Sequence, residues 1–120
     1  MSKILIADDN AQNLYLARFL LEKNGHNVDE AVNGALAVQA VEKNIYDLIL
    51  MDIQMPVLDG LEATRKIKSK NNAPIIVALT AKAMAGDAEM IMASGCDGYI
   101  VKPIEAHDFA SKVEKYLNTK

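Results

Sequence analysis

Leu48-Ile49-Leu50-Met51-Asp52 runs four apolar residues straight into a carboxylate. A run this short, without helical spacing or polar alternation, reads as a strand over Leu48–Met51 buried on both faces, the signature of a parallel sheet. Ile4-Leu5-Ile6, within Lys3–Ala7, and Ile75-Ile76-Val77-Ala78-Leu79, within Pro74–Leu79, read the same way. Asn27–Ala31 alternates and carries Asp29 and Glu30, so it is expected at an edge, where charge discourages further pairing. Tyr99–Val101 completes the set.

A segment of helical spacing follows each strand. In the first, Leu14, Ala17, Leu20 and Leu21 share a face, Asn10 is the expected N-cap, and Gly25 follows the end. The second covers about 34–43 with Leu36, Ala37, Ala40 and Val41 inward. The third starts at Asp59, which pairs with Glu62 as in a capping box, and holds Leu61 and Ile67 inside. The fourth places Met84, Ala88, Ile91 and Met92 inward, leaves Met90 exposed and stops at Gly95; the fifth turns Phe109, Val113, Tyr116 and Leu117 inward. Strict alternation of strand and helix implies an α/β fold, with a parallel sheet, helices on both faces and right-handed crossovers.

The 120 residues suffice for one domain, and 51% hydrophobic content with 24% charge points to a globular core. The net charge of −3, with Lys and Arg scattered, argues against direct nucleic-acid binding. Cys96 stands alone, so no internal disulfide is expected, and no apolar run approaches the roughly 18 residues that a membrane span needs. With no signal-peptide pattern at the start, the expected location is the cytoplasm.

In open α/β sheets, ligands bind beyond the carboxyl ends of the strands. There stand Asp8-Asp9-Asn10, Asp52, Thr80 and Lys102-Pro103. Taken singly, Asp8 or Asp9 reads as a turn former or helix cap. Asp52 ends a buried strand, and a carboxylate there costs several kcal/mol unless something compensates. Two carboxylates about 5 Å apart repel by roughly 3 kcal/mol at an effective dielectric of 20, so three converging acids call for a cation. An oxygen-only set, with His26 and His107 elsewhere, selects Mg²⁺ over zinc, with Mn²⁺ as an alternative. Lys102 then becomes a point charge for an anion and Thr80 a donor to it, which describes phosphoryl chemistry, with Asp52 the candidate nucleophile.

These residues resemble the receiver domains of two-component response regulators over the whole chain. The resemblance lies in Asp8-Asp9-Asn10, in Met51-Asp52-Ile53-Gln54-Met55-Pro56 followed by Asp59-Gly60, in Ala78-Leu79-Thr80-Ala81, and in Tyr99 followed by Lys102-Pro103. Ala83-Met84-Ala85-Gly86-Asp87 and Gly95-Cys96-Asp97 are similar to stand-alone regulators of the DivK kind and to receivers of hybrid kinases. The resemblance implies five strands in the order 2-1-3-4-5. It also implies that Asp52 accepts a phosphoryl group from a phosphohistidine on a sensor kinase or phosphotransfer protein. Asp9, Asp52 and the carbonyl of Gln54 would hold Mg²⁺, Asp8 would assist through its waters, and Thr80, Ala81 and Lys102 would contact the phosphoryl oxygens. A cis bond before Pro103, a switch through Thr80 and Tyr99, and tuning of phosphate lifetime by Gln54 and Lys82 belong to the same expectation.

Two rivals are weaker. A haloacid-dehalogenase-type phosphatase, which also uses an Asp nucleophile, needs a second acid where this chain has Gln54. A flavodoxin-like flavin carrier needs phosphate donors after the first strand, where Asp8 and Asp9 would repel phosphate. With no output domain in the sequence, the expected role is a single-domain regulator or relay shuttle that is not an enzyme toward other substrates. The alternative is a receiver cut from a hybrid kinase. Its effector is expected on the fourth helix, fifth strand and fifth helix.

Overall fold

The computed structural model describes residues 2–55, 57–70, 72–81 and 85–119. The chain alternates β1 (Lys3–Ala7), α1 (Ala11–Lys23), β2 (Asn27–Ala31), α2 (Gly34–Lys43), β3 (Leu48–Asp52), α3 (Gly60–Lys68), β4 (Ile75–Thr80), α4 (Ala85–Ala93), β5 (Gly98–Val101) and α5 (Phe109–Leu117). All strand pairs are parallel, in the order β2-β1-β3-β4-β5. The chain leaves β1 toward β2 on one side and returns to β3 on the other, so the direction of winding reverses between β1 and β3, the position where such sheets bind ligands.

Side chains of successive strand residues enter opposite layers. Ile4, Ile6, Leu48, Leu50, Val77 and Leu79 pack with Leu14, Ala17, Leu21, Phe109 and Val113 of α1 and α5. Leu5, Ala7, Ile49, Met51, Ile76 and Ala78 pack with Ala37, Ala63, Ile67 and Ile91 of α2, α3 and α4. This is why β3 and β4 are continuously apolar, whereas β2 at the edge exposes Asn27, Asp29 and Glu30. Each fully buried Leu or Ile contributes about 2 kcal/mol.

Asn10 Oδ1 accepts the Asn13 amide at 3.0 Å, and Gly25 takes φ 88° beyond the end of α1, as expected for the two caps. Several details differ from the sequence reading. β3 extends through Asp52. β4 begins at Ile75, since Pro74 has no N–H for the ladder, and runs through Thr80; β5 begins at Gly98. Asp59 caps α3 by accepting the Glu62 amide at 2.9 Å, but the Glu62 carboxylate turns to Arg65 and the box is not reciprocal. Leu36 is 41% exposed. A Cβ on Gly34 would lie 2.0 Å from the Leu58 carbonyl, so α2 approaches through Gly34 and Ala37, and this rotates Leu36 to solvent. Met92 is 48% exposed, because α4 inserts Ile91 and the next residue lies about 100° around the helix. Met90 is exposed as expected, and Met84 lies outside the described residues.

Candidate functional site

The ladder carries β1 one residue past its end, with the Asp8 amide donating to the Ala31 carbonyl at 3.0 Å, and so holds the Asp8 side chain fully buried. Its Oδ1 accepts the Asn10 amide at 2.9 Å; Oδ2 accepts from Asn13 Nδ2 at 3.3 Å and from Lys102 Nζ at 3.2 Å. Asp52, the last residue of β3, is also buried; its Oδ1 accepts the Gln54 amide at 3.1 Å and its Oδ2 lies 3.2 Å from the same Lys102 ammonium. Lys102 reaches both acids because its amide donates to the Thr80 carbonyl at 2.7 Å, which fixes the chain just beyond β5 beside β4. The Lys102–Pro103 peptide is cis.

Asp9 is exposed, yet one carboxylate oxygen each from Asp8, Asp9 and Asp52 falls within 4.8 Å of the others. Asn10, Asn13, Ile53, Gln54, Thr80, Ala81, Asp87 and Lys102 complete a cleft of about 280 Å³ around them. Thr80 is buried at the end of β4. Burial, joined by the charge of Asp8, raises the Asp52 pKa above the usual carboxylate value, and the Gln54 amide and Lys102 offset only part of this. Burial alone would depress the Lys102 ammonium, but Asp52 and Asp8 outweigh it and raise its pKa. Among the described residues, the cleft therefore sets four carboxylates against one ammonium. An oxygen-only donor set with surplus negative charge and no His or Cys suits a hard divalent cation.

The structure thus brings Asp8, Asp9, Asp52, Gln54, Thr80, Ala81 and Lys102 to one cleft. Tyr99 lies apart from it, half-buried in a groove of about 420 Å³ with Ile100, Lys112, Lys115, Tyr116 and Thr119. Lys82 lies outside the described residues. Two polar cleft residues carried no role in the sequence reading. Asn13 sits three residues after the cap Asn10, a spacing that turns it back toward Asp8; Asp87 comes from the first turn of α4.

Residues 4–114 match the response regulator receiver domain family, and the chain belongs to it. The sensor protein GacS of Pseudomonas syringae pv. syringae is 42% identical over 119 residues, covering 95% of this chain but 13% of that kinase. The polar-differentiation response regulator DivK of Brucella anthropi is 40% identical over 117 residues, covering 95% of this chain and 94% of that protein. The receiver domain of the sensor histidine kinase PA1611 from Pseudomonas aeruginosa superposes with a TM-score of 0.89 at 34% identity over 98% of both chains, and its crystal structure has a magnesium ion coordinated in the active site cleft. A receiver is a signalling switch. Among the described residues, no helix is long and apolar enough to cross a membrane.

Proposed function

We propose that Asp52 is the phosphoacceptor of this receiver. A carboxylate oxygen of Asp52 attacks the phosphorus of a phosphohistidine on a sensor kinase or phosphotransfer protein. The P–N bond breaks and its electron pair stays on the imidazole, which takes up a proton. The observation that carries this reading is the placement of Asp52: buried, held by Lys102 and the Gln54 amide, and within reach of Asp8 and Asp9 in an open cleft. Burial makes the Asp52 carboxylate more basic and hence a better nucleophile, while Lys102 keeps it anionic.

Asp9, Asp52 and the carbonyl of Gln54 would hold Mg²⁺, which supplies charge neutralisation for the incoming phosphoryl oxygens. Asp8 already accepts from Asn10, Asn13 and Lys102, so it would orient the metal's waters. Lys102, the Thr80 hydroxyl and the Ala81 backbone would receive the phosphoryl oxygens, and Gln54 and Lys82 would set how fast water removes them. The state would be read through Thr80 and Tyr99 by an effector protein on α4, β5 and α5. The protein would act only on itself, in the cytoplasm where ATP-dependent kinases work, as a regulator similar to DivK, with which it is 40% identical over 117 residues.

Incubation with acetyl phosphate and Mg²⁺ should add one hydroxylamine-labile phosphate by intact mass, mapped to the peptide containing Asp52 and absent from Asp52→Asn. A labile phosphate of equal yield on that variant would refute the assignment.

A further inference from the structure

Asp87 lines the same cleft as Asp52, Thr80 and Lys102, from the first turn of α4. Lys102, the cation among the described residues of that cleft, is engaged at 3.2 Å by both Asp8 and Asp52. Among the described residues Asp87 has no hydrogen bond and no ion pair, and its side chain is half-buried. Its helix is thinly anchored, since Ile91 is the one buried residue among those described on α4, where α1 buries four. A charge on a lightly held element, lining a cleft that changes charge, is coupled to that cleft by electrostatics.

We infer that Asp87 is the charge-responsive end of α4: it opposes negative charge gained at Asp52, so that loading the cleft with a phosphoryl group drives the first turn of α4 outward. This rests on Asp52 being the phosphoacceptor. Phosphorylation exchanges one negative charge on Asp52 for about two. The ammonium of the cleft is already shared by Asp8 and Asp52, and a bound Mg²⁺ would offset part of the gain, so the remainder is felt by Asp87. Coupling between two sites is reciprocal, so the repulsion that moves α4 must also weaken phosphoryl binding. Asp87 is then a positioning residue that sets the balance between the two states and takes no part in the transfer.

Beryllofluoride, an anionic phosphoryl mimic, tests this by calorimetric titration at saturating Mg²⁺. Asp87→Asn should bind it roughly 3- to 10-fold more tightly than wild type. The gap should narrow toward about 1 M salt, where the screening length falls to ~3 Å. Asp87→Glu, which keeps the charge, should track wild type. Amide shifts of residues 85–93 on loading should be smaller in Asp87→Asn. Equal or weaker binding by Asp87→Asn, with wild type binding normally, overturns the inference while leaving the phosphoacceptor reading intact. Failure of wild type itself to bind overturns that reading, and this inference with it.

Discussion

Aspartates stand at both edges of this sheet, and they do different work. At the amino edge, Asp47 precedes β3 and clasps β1: its amide donates to the Lys3 carbonyl at 2.8 Å and its carboxylate accepts the Lys3 amide at 2.8 Å. Asp97 precedes β5 and repeats the clasp on Ile76 of β4, at 2.7 and 2.8 Å, with Lys68 Nζ on the same carboxylate at 2.7 Å. Asp29 is met by the Tyr46 hydroxyl, and Glu114 by His26, whose other nitrogen accepts the Ser2 amide. Each of these acids meets a donor of its own. At the carboxyl edge, Asp8 and Asp52 share Lys102, and Asp9 and Asp87 line the same cleft with no ion pair among the described residues. One edge neutralises itself and closes the fold; the other holds unspent charge for something that is yet to bind.

That contrast breaks most visibly at Gly60. A Cβ there would lie 2.1 Å from the Asp52 carbonyl and 2.7 Å from Ile53 Cα, so the start of α3 and the end of β3 cannot both stay in place. Gly60→Ala should cost about 3 kcal/mol in urea unfolding and displace Asp52 from its partners. At the amino edge, Asp97→Ala leaves the Ile76 amide without its carboxylate and Lys68 without its ion pair. It should cost about 2 kcal/mol in the same assay, with no change in what the cleft binds.

Asp52→Asn should act in the opposite sense. The Asp52 pKa is raised in the fold, so between the ordinary Asp value and that raised value the folded state holds a proton that the unfolded chain has lost. Stability therefore falls as pH rises through that window. Without Mg²⁺ near pH 7, the variant should be more stable than wild type by on the order of 1 kcal/mol, the balance of relief from burying a charge and from Asp8 against the loss of the Gln54 amide and Lys102 as partners of that charge. Chemical denaturation across pH should show the gain closing as pH falls through that window toward the ordinary Asp value. A gain that is constant with pH would place its origin elsewhere.

The carboxyl edge was largely legible in the sequence because apolar runs end where strands end, and the residue after each run is placed by the strand itself. Asp8, Asp52, Thr80 and Lys102 are fixed in this way. Asp87 was not, because it reaches the cleft from a helix whose rotation is set by packing. Ala85–Ala93 is small or apolar on most of its sides and offers no phase to read. Leu36 and Met92 were turned inward for the same reason. Nor does any local signal mark Val57, a β-branched residue held at φ 72° in the loop between Asp52 and α3. The loop is closed from outside Val57, by the Gly60 amide donating to the Ile53 carbonyl at 3.2 Å.

The unspent charge is tested most directly by the melting temperature in Mg²⁺, compared between an acid of each edge. At tenfold over its dissociation constant, a ligand of the native state adds about 1.4 kcal/mol, or roughly 5 °C for a domain of this size. Wild type and Asp97→Ala should both show that rise, from different starting points, and Asp9→Ala should lose it. A rise retained in Asp9→Ala, or a wild type indifferent to Mg²⁺ at millimolar concentration, would contradict the account of the carboxyl edge as a cation-binding site.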